Sequence, residues 1–464
     1  MPNTPRITAI TQMNCLGAES VIIHKFLVNN KVPICGFRFF VTRITSLYNF
    51  FCICNNFLDF FTFAGAENSL GRGGGGSFSP PHEIRRKNVS CPLFHKSTIN
   101  LITFAGKLYG LMGKVLIDLS ILKHLNCGLG QVAYNYAKYY QSHAKEFDYE
   151  VHLLVPKSFV NAFGQDVHYH VCREIYKIFP FLLPHFDVWH SIHQLVRQAP
   201  SRRSTRNLLT IHDLNFLYEK EGKTKEKYIR KLTKKIKRAN RITCISNFAK
   251  NDVEENFQVG QPIEVIYNGV EFLSPTEEKQ PSLPCDADKK FLFTIGQLLP
   301  KKNFHTLLDV MKLMPEYNLI IAGKDTTEYA KMIKDRIADE GISNVFLLGE
   351  ILHGEKVWLY NHCEAFVFPS LFEGFGLPII EAMFFGKPVV SSDKTSLKEI
   401  GADHVFFWES FEPEHMAARI REAIAQFGDN PSMALDNKAY AESYSYEKHL
   451  TRYNEIYREL MGEK

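Results

Sequence analysis

The sequence predicts an α/β protein with two Rossmann-like, doubly wound parallel-sheet domains facing a cleft, preceded by an unstructured N-terminal extension. Three observations predict it. From Met112 onward short apolar runs alternate with helical periodicity; residues 274–288, rich in Pro, Glu and Lys, divide that alternation in two; and residues 1–111 follow neither pattern. The expected organisation is an extension at 1–111, an N-terminal domain at 112–273, a linker at 274–288, a C-terminal domain at 289–440 and a terminal helix at 441–464.

The extension crowds phenylalanines (Phe50, Phe51, Phe57, Phe60, Phe61, Phe63) without strand or helix period, then runs through Gly73 to Gly76 into Arg85-Arg86-Lys87. Three readings stand for it: upstream sequence translated ahead of an authentic start at Met112, a membrane-associating segment, or an accessory domain. Arg38, Arg43, Asn49, Asn55, Asn56 and Asp59 break up the most apolar stretch, leaving no run near the ~20 apolar residues a membrane span requires.

In the N-terminal domain, Val115 to Asp118, Val151 to Val155, Asp187 to His190, Leu208 to Ile211, Arg241 to Ile245 and Glu264 to Ile266 read as strands. Gly128-Leu129-Gly130 reads as the turn after the first strand, and Gln131 to Tyr140 and Lys225 to Ala239 as helices. In the C-terminal domain the strands are Lys290 to Ile295, Asn318 to Ala322, Val345 to Leu348, Ala365 to Phe368 and Pro388 to Ser391. The helices between and after them are Thr306 to Met314, Thr327 to Glu340, Gly354 to Asn361, Pro378 to Phe385 and Pro413 to Ala425. Tyr446 to Met461 is amphipathic.

Charge narrows the partners. Of 55 Lys and Arg and 50 Asp and Glu, residues 1–111 hold 11 and 4, which leaves 44 against 46 for the rest. The two-domain part is near neutral and carries no footprint for nucleic acid. The 10 cysteines lack metal-ligand spacing and read as free thiols of a reducing, cytoplasmic compartment.

The chemistry gathers around EGFGLPIIE. Glu373 and Glu381 flank a glycine-containing turn between an apolar strand and a helix with proline in its first turn. Amides at a helix start are unpaired and partly positive, so an anion fits above Gly374, Phe375, Gly376 and Leu377. Glu373 can take sugar hydroxyls, and Glu381, along the helix, a ribose diol. Lys302, in the loop after the strand ending at Ile295-Gly296, can bring an ammonium to the same anion. Asp286-Ala287-Asp288 lies in the linker and reads as a chance match to a metal motif, so no metal site is assigned.

Pro369-Ser370 through Glu381, continuing as EAMFFGKPVVSSD, resembles the donor-site signature of the retaining family-4 glycosyltransferases, enzymes of the GT-B fold. Gly128-Leu129-Gly130, Ile211-His212-Asp213-Leu214, Ile245-Ser246-Asn247-Phe248, Ile266-Tyr267-Asn268-Gly269-Val270 and Gly296 through Pro300-Lys301-Lys302-Asn303 resemble further blocks, in family order, from Met112 to the C-terminus. One departure is Gln297, where relatives often carry arginine, which leaves the positive charge to Lys302 or to Lys302 with Lys301.

The resemblance implies a hexosyltransferase, with mannosyl transfer among the candidates, that uses a nucleotide diphosphate sugar as co-substrate and no cofactor or metal. Its implied acceptor is a glycan or a lipid-linked glycan of bacterial surface polysaccharide, met peripherally at the inner face of the membrane. His212, Lys302 and Glu373 are the implied catalytic residues, His212 reaching across the cleft with Asp213 orienting it. Gly296, Lys301, Lys302, Glu373 to Leu377 and Glu381 form the implied donor site, with Gly128 and Gly130 letting acceptor and diphosphate approach the backbone. The terminal helix is expected to cross back onto the N-terminal domain. Two other readings keep the fold: a non-catalytic nucleotide-sugar-binding scaffold and a sugar-nucleotide epimerase.

Overall fold

The structure, a computed structural model, describes residues 112–462 apart from 126, 195, 197, 199, 201–203, 273–274 and 285–288. The extension 1–111, with its three readings, lies outside the described residues, as do Asp286, Ala287 and Asp288.

The N-terminal domain strings together β1 (Gly113–Asp118), α1 (Gly128–Ser142), β2 (Tyr149–Val155), β3 (His168–Val171), α2 (Ile175–Ile178), β4 (Val188–Ser191), β5 (Arg206–Ile211), α3 (Phe216–Glu219), α4 (Gly222–Ile236), β6 (Arg241–Cys244), α5 (Asn247–Asn256) and β7 (Ile263–Val265). The C-terminal domain continues with β8 (Phe291–Ile295), α6 (Thr306–Lys312), β9 (Asn318–Ala322), α7 (Glu328–Asp339), β10 (Val345–Gly349), α8 (His353–His362), β11 (Ala365–Phe368), α9 (Leu377–Phe384), β12 (Val389–Ser392), α10 (Leu397–Gly401) and β13 (Phe406–Trp408). Three helices close the chain: α11 (Pro413–Asp429), α12 (Ser432–Glu442) and α13 (Tyr446–Gly462).

Both sheets are parallel, ordered β3-β2-β1-β4-β5-β6-β7 and β10-β9-β8-β11-β12-β13. Their central strands are apolar on both faces because helices cover both. Leu292 and Phe293, Leu319 to Ile321 and Ala365 to Phe368 are accordingly buried. Strands β3 and β13 and helix α12 were not expected from sequence. The first is a polar edge strand, the second has three residues, and the helix shows no apolar stripe long enough to read.

In each sheet the strand order reverses once, between β1 and β4 and between β8 and β11. Crossovers on either side of such a point pass over opposite faces, so a crevice opens at the carboxyl ends of the two strands. The loops after β8 and β11 therefore meet, and they carry Lys302 and Glu373.

Helix α13 returns to the N-terminal domain, where Leu450, Tyr453, Ile456, Tyr457 and Leu460 join a core with Val115, Tyr136, Tyr140 and Tyr149. A buried polar network lies beneath it. His190 pairs with the Tyr457 hydroxyl at 2.7 Å and with Thr210 Oγ1 at 2.8 Å. His449 Nδ1–H donates to the Tyr267 carbonyl at 2.6 Å, so its Nε2 accepts the Tyr136 hydroxyl at 2.8 Å. Both imidazoles are committed in their neutral form.

Burial holds His449 down at about 3 and His190 well below the ordinary histidine value. His152 and His193, also at about 3, and His212, at about 4, are depressed for the same reason. Such a group takes up its proton near its ordinary value only in the unfolded chain, so acidification through that interval favours unfolding by up to about 1.4 kcal/mol per pH unit per group. Asp118, Asp213 and Asp252, whose carboxyls burial raises, oppose this and are fewer. The thermal unfolding midpoint is expected to fall from pH ~7 to pH ~5; a midpoint that holds or rises would contradict the buried neutral imidazoles.

Candidate functional site

After β8 the chain passes Gly296, at φ +156°, and turns through a 3-10 segment at Pro300–Lys302. Asn303, left-handed at φ 57° and buried, ends the turn before α6. The Lys302 side chain folds back over the glycine: a Cβ at Gly296 would lie 3.2 Å from Lys302 Cε. Its Nζ stands 5.0 Å from the centre of the Phe368 ring and 2.5 Å from Glu373 Oε1, with both charged side chains largely covered.

The β11 loop is tied to the β8 loop through its backbone. Leu371 N–H donates to the Lys301 carbonyl at 2.8 Å, and Ser370 Oγ lies 3.2 Å from the same oxygen. Glu373 is held at three points: Ser370 Oγ donates to its carboxylate at 2.8 Å, its N–H donates to Thr395 Oγ1 at 3.1 Å, and Ser396 Oγ donates to its carbonyl at 3.0 Å. These supports, small polar residues after β11 and β12, were not singled out in the sequence. Their signal there is only a Ser or Thr just beyond an apolar strand.

Gly376, at φ 103°, caps α9, and Pro378 sits in the first turn. Among the described residues no side chain caps this helix, and the amides of Gly374, Phe375, Gly376 and Leu377 find no backbone acceptor. The turn presents these donors because the Phe375 side chain is buried away in the core beside Tyr267 and Tyr444. Glu381 accepts from Lys356 Nζ at 2.6 Å and the Tyr360 hydroxyl at 2.9 Å, which leaves roughly two of its four acceptor positions open.

Three expectations are corrected. Lys301 does not join Lys302: its ammonium crosses the domain boundary to Glu219 of α3, at 2.9 Å. Successive side chains of a 3-10 turn diverge by about 120°, and here the two ammonium groups pair with different carboxylates. The His212 side chain does not reach across the cleft either. It is buried, with Nε2–H donating to the Ile192 carbonyl at 2.8 Å and burial lowering it to about 4, so the ring is neutral and held within its own domain. What meets the C-terminal domain is its backbone: a Cβ on Gly374 would lie 2.5 Å from the His212 carbonyl oxygen. Asp213 accepts the Asn215 N–H at 3.0 Å in a local turn.

Gly128 and Gly130 are the third correction, because they form the first turn of α1 and not a loop before it. A Cβ on Gly130 would lie 2.0 Å from the His124 carbonyl, so glycine is needed there for the helix to pack on the preceding turn; nothing approaches Gly128.

Other contacts bridge the domains. Ser246 Oγ donates to the Gly374 carbonyl at 2.9 Å. Glu399 of α10 accepts the amides of Asn247 and Phe248 at 2.7 and 3.0 Å, so its carboxylate caps the positive end of α5.

A turn of free amides, an ammonium and a held carboxylate at a switch point can receive a phosphorylated sugar. Family models agree: Glycosyltransferase Family 4 matches residues 128–272, and Glycosyl transferases group 1 matches residues 275–442. The chain belongs to the family-4 glycosyltransferases of the GT-B fold. Among curated relatives of this family, it is 30% identical to the O-antigen chain mannosyltransferase RfbU of Salmonella typhimurium over 197 residues, covering 41% of this chain and 53% of RfbU, about half its length. It is 27% identical to O-antigen chain mannosyltransferase B of Escherichia coli over 278 residues, 56% of this chain and 71% of that one. The fold matches Anabaena HepE in complex with UDP-glucose over 75% of this chain and 99% of that one, at a TM-score of 0.57 and 18% identity.

The apposition of Gly374 to the His212 carbonyl is testable. Gly374→Ala forces two backbones apart and is expected to destabilise by about 1–3 kcal/mol and to enlarge the scattering envelope in solution. A variant as compact and as stable as the parent would show that the contact does not hold the domains together.

Proposed function

We propose that the chain transfers a hexose, mannose first among the candidates, from a nucleoside diphosphate sugar to a glycan or lipid-linked acceptor of bacterial surface polysaccharide, with retention of anomeric configuration. The observation that carries this reading is the Lys302 ammonium standing beside Glu373 and the free amides at the start of α9. The names of the curated relatives, O-antigen mannosyltransferases, support the sugar and the acceptor class.

Breaking the sugar–phosphate bond builds negative charge on the leaving diphosphate. The aligned amides meet that charge without reorganising, and the ammonium joins them once the diphosphate displaces its carboxylate partner, so the reading assigns no step to a divalent metal. In the free protein Glu373 neutralises Lys302. A diphosphate competes for the same cation, and the carboxylate, still held by Ser370, is then available to the sugar hydroxyls. The acceptor hydroxyl forms its bond to the anomeric carbon as the bond to the diphosphate oxygen breaks. The hydroxyl proton passes to that departing oxygen on the same face, giving the glycoside and the nucleoside diphosphate. The protein's share is positioning and electrostatics. Glu381 is assigned the ribose diol through its open acceptor positions. His212 is assigned a positioning role through its backbone and its buried neutral ring.

Turnover of nucleoside diphosphate hexoses is expected to drop ~10²-fold or more in Lys302→Ala and in Glu373→Gln, with folding intact by circular dichroism. Undiminished turnover in both would overturn the assignment.

Peripheral contact with a membrane belongs to the same proposal. Among the described residues no helix is long and apolar enough to cross a membrane. Ile175, Ile178, Phe179, Phe181 and Leu182, around α2, are nevertheless all exposed, and α4 presents Lys223, Lys227, Arg230, Lys231 and Lys234 to solvent. Apolar wedges and basic helices are what anionic lipid surfaces retain. The chain is expected to float with anionic vesicles, and Ile178→Ser with Phe181→Ser to weaken flotation severalfold. Equal recovery of parent and variant would remove α2 from the interface.

A further inference from the structure

A histidine-rich cluster lies outside the cleft, on the two strands at one edge of the N-terminal sheet. In the parallel register His152 of β2 stands opposite His168 of β3, and Leu154 opposite His170. Alternation along each strand puts Glu150 and His152 on one face of β2, and His168 and His170 on one face of β3. One ligand atom from each of Glu150, His152 and His168 lies within 4.8 Å of the other two.

The geometry resembles half-assembled coordination. His152 Nε2 is 3.3 Å from Glu150 Oε2, close to the edge of a tetrahedron whose arms are zinc–ligand bonds of ~2.0–2.1 Å. His168 stacks on His152 with ring centres 4.7 Å apart, and its side chain makes no hydrogen bond to another described residue, so its ring nitrogens are uncommitted. The second nitrogen of His152, Nδ1, lies 3.0 Å from His170 Nε2. A metal-ligating imidazole is usually oriented this way, through its other nitrogen. Phe186 packs edge-on against both His152 and His170, with ring centres 5.2 and 5.3 Å away, which fixes their planes. His152 is buried, Glu150 half-buried and His168 exposed, so the cluster has a rigid floor and a solvent side for entry and for a water ligand. Lys114, 3.7 Å from Glu150, is the competing partner, and a half-exposed ion pair of that length is weak.

We propose that Glu150, His152 and His168 bind a divalent transition-metal ion, zinc in the first instance, with water completing the shell and His170 orienting His152. Two imidazoles and a carboxylate suit zinc, nickel and copper far better than magnesium or calcium. The ion staples the four-residue edge strand β3 to β2, and its site is separate from the switch-point loops that carry Lys302 and Glu373.

The full chain, stripped with chelator and titrated with Zn2+ or Co2+, tests this by calorimetry, by the visible spectrum of bound Co2+ and by thermal unfolding. Saturable uptake, a tetrahedral Co2+ spectrum and a raised unfolding midpoint are expected. His168→Ala, at an exposed position, and Glu150→Gln should each weaken binding about tenfold or more, and His170→Ala should weaken it about 10- to 100-fold. Hexose transfer should be unchanged in His168→Ala, which separates this site from the donor cleft. The proposal is overturned if the parent takes up no Zn2+ saturably, or if His168→Ala and Glu150→Gln bind it as the parent does.

Discussion

The pairing of the Lys302 ammonium with the Glu373 carboxylate is the contact on which the rest of the donor side depends, and strand order is what makes it. The loop after β8 and the loop after β11 leave neighbouring strands on the two sides of a reversal, so they face each other across one crevice. The backbone bond from Leu371 to the Lys301 carbonyl locks the loops together, Ser370 holds the Glu373 carboxylate, and Thr395 and Ser396 hold its backbone. A charge pair as covered as this one survives only where such hydrogen bonds satisfy it. The two side chains are thereby placed before any ligand arrives, and a diphosphate has only to exchange with the carboxylate at the ammonium.

The two domains are joined by contacts that use the same chemistry. Glu399 offers its carboxylate to the amide end of α5, Lys301 reaches Glu219, and Gly374 lies against the His212 carbonyl. Helix α13 adds a larger apolar surface and a polar network sealed beneath it. Polar groups buried under that helix are tolerable because the rings of His190 and His449 each have two partners, an economy that holds only while they stay neutral.

Much of this was legible in the chain itself. Strands β8, β9 and β11 stand out because both faces are buried, so their residues are uniformly apolar. The α9 turn stands out because a left-handed glycine and a proline mark a helix start. Edge strand β3, HYHV, offers no apolar run, and its meaning lies in its partner: only pairing with β2 gathers three histidines and a glutamate. The glycine at 130 misled for a related reason, since a close approach demands glycine whether the neighbour is a ligand or the protein's own His124 carbonyl.

By itself the sequence determined the strand–helix alternation in two domains, the family and the short list of groups able to face a phosphorylated sugar, because periodicity, turn chemistry and residue type are local properties. Tertiary structure decided between near-identical candidates. It sent Lys302 to Glu373 and Lys301 to Glu219, turned the His212 ring into its own domain, and occupied part of Glu381 with Lys356 and Tyr360. The physical reason is direction: a residue's chemistry is written in its name, but its target depends on the orientation of its Cα–Cβ bond and on what the other strands bring within a few ångströms.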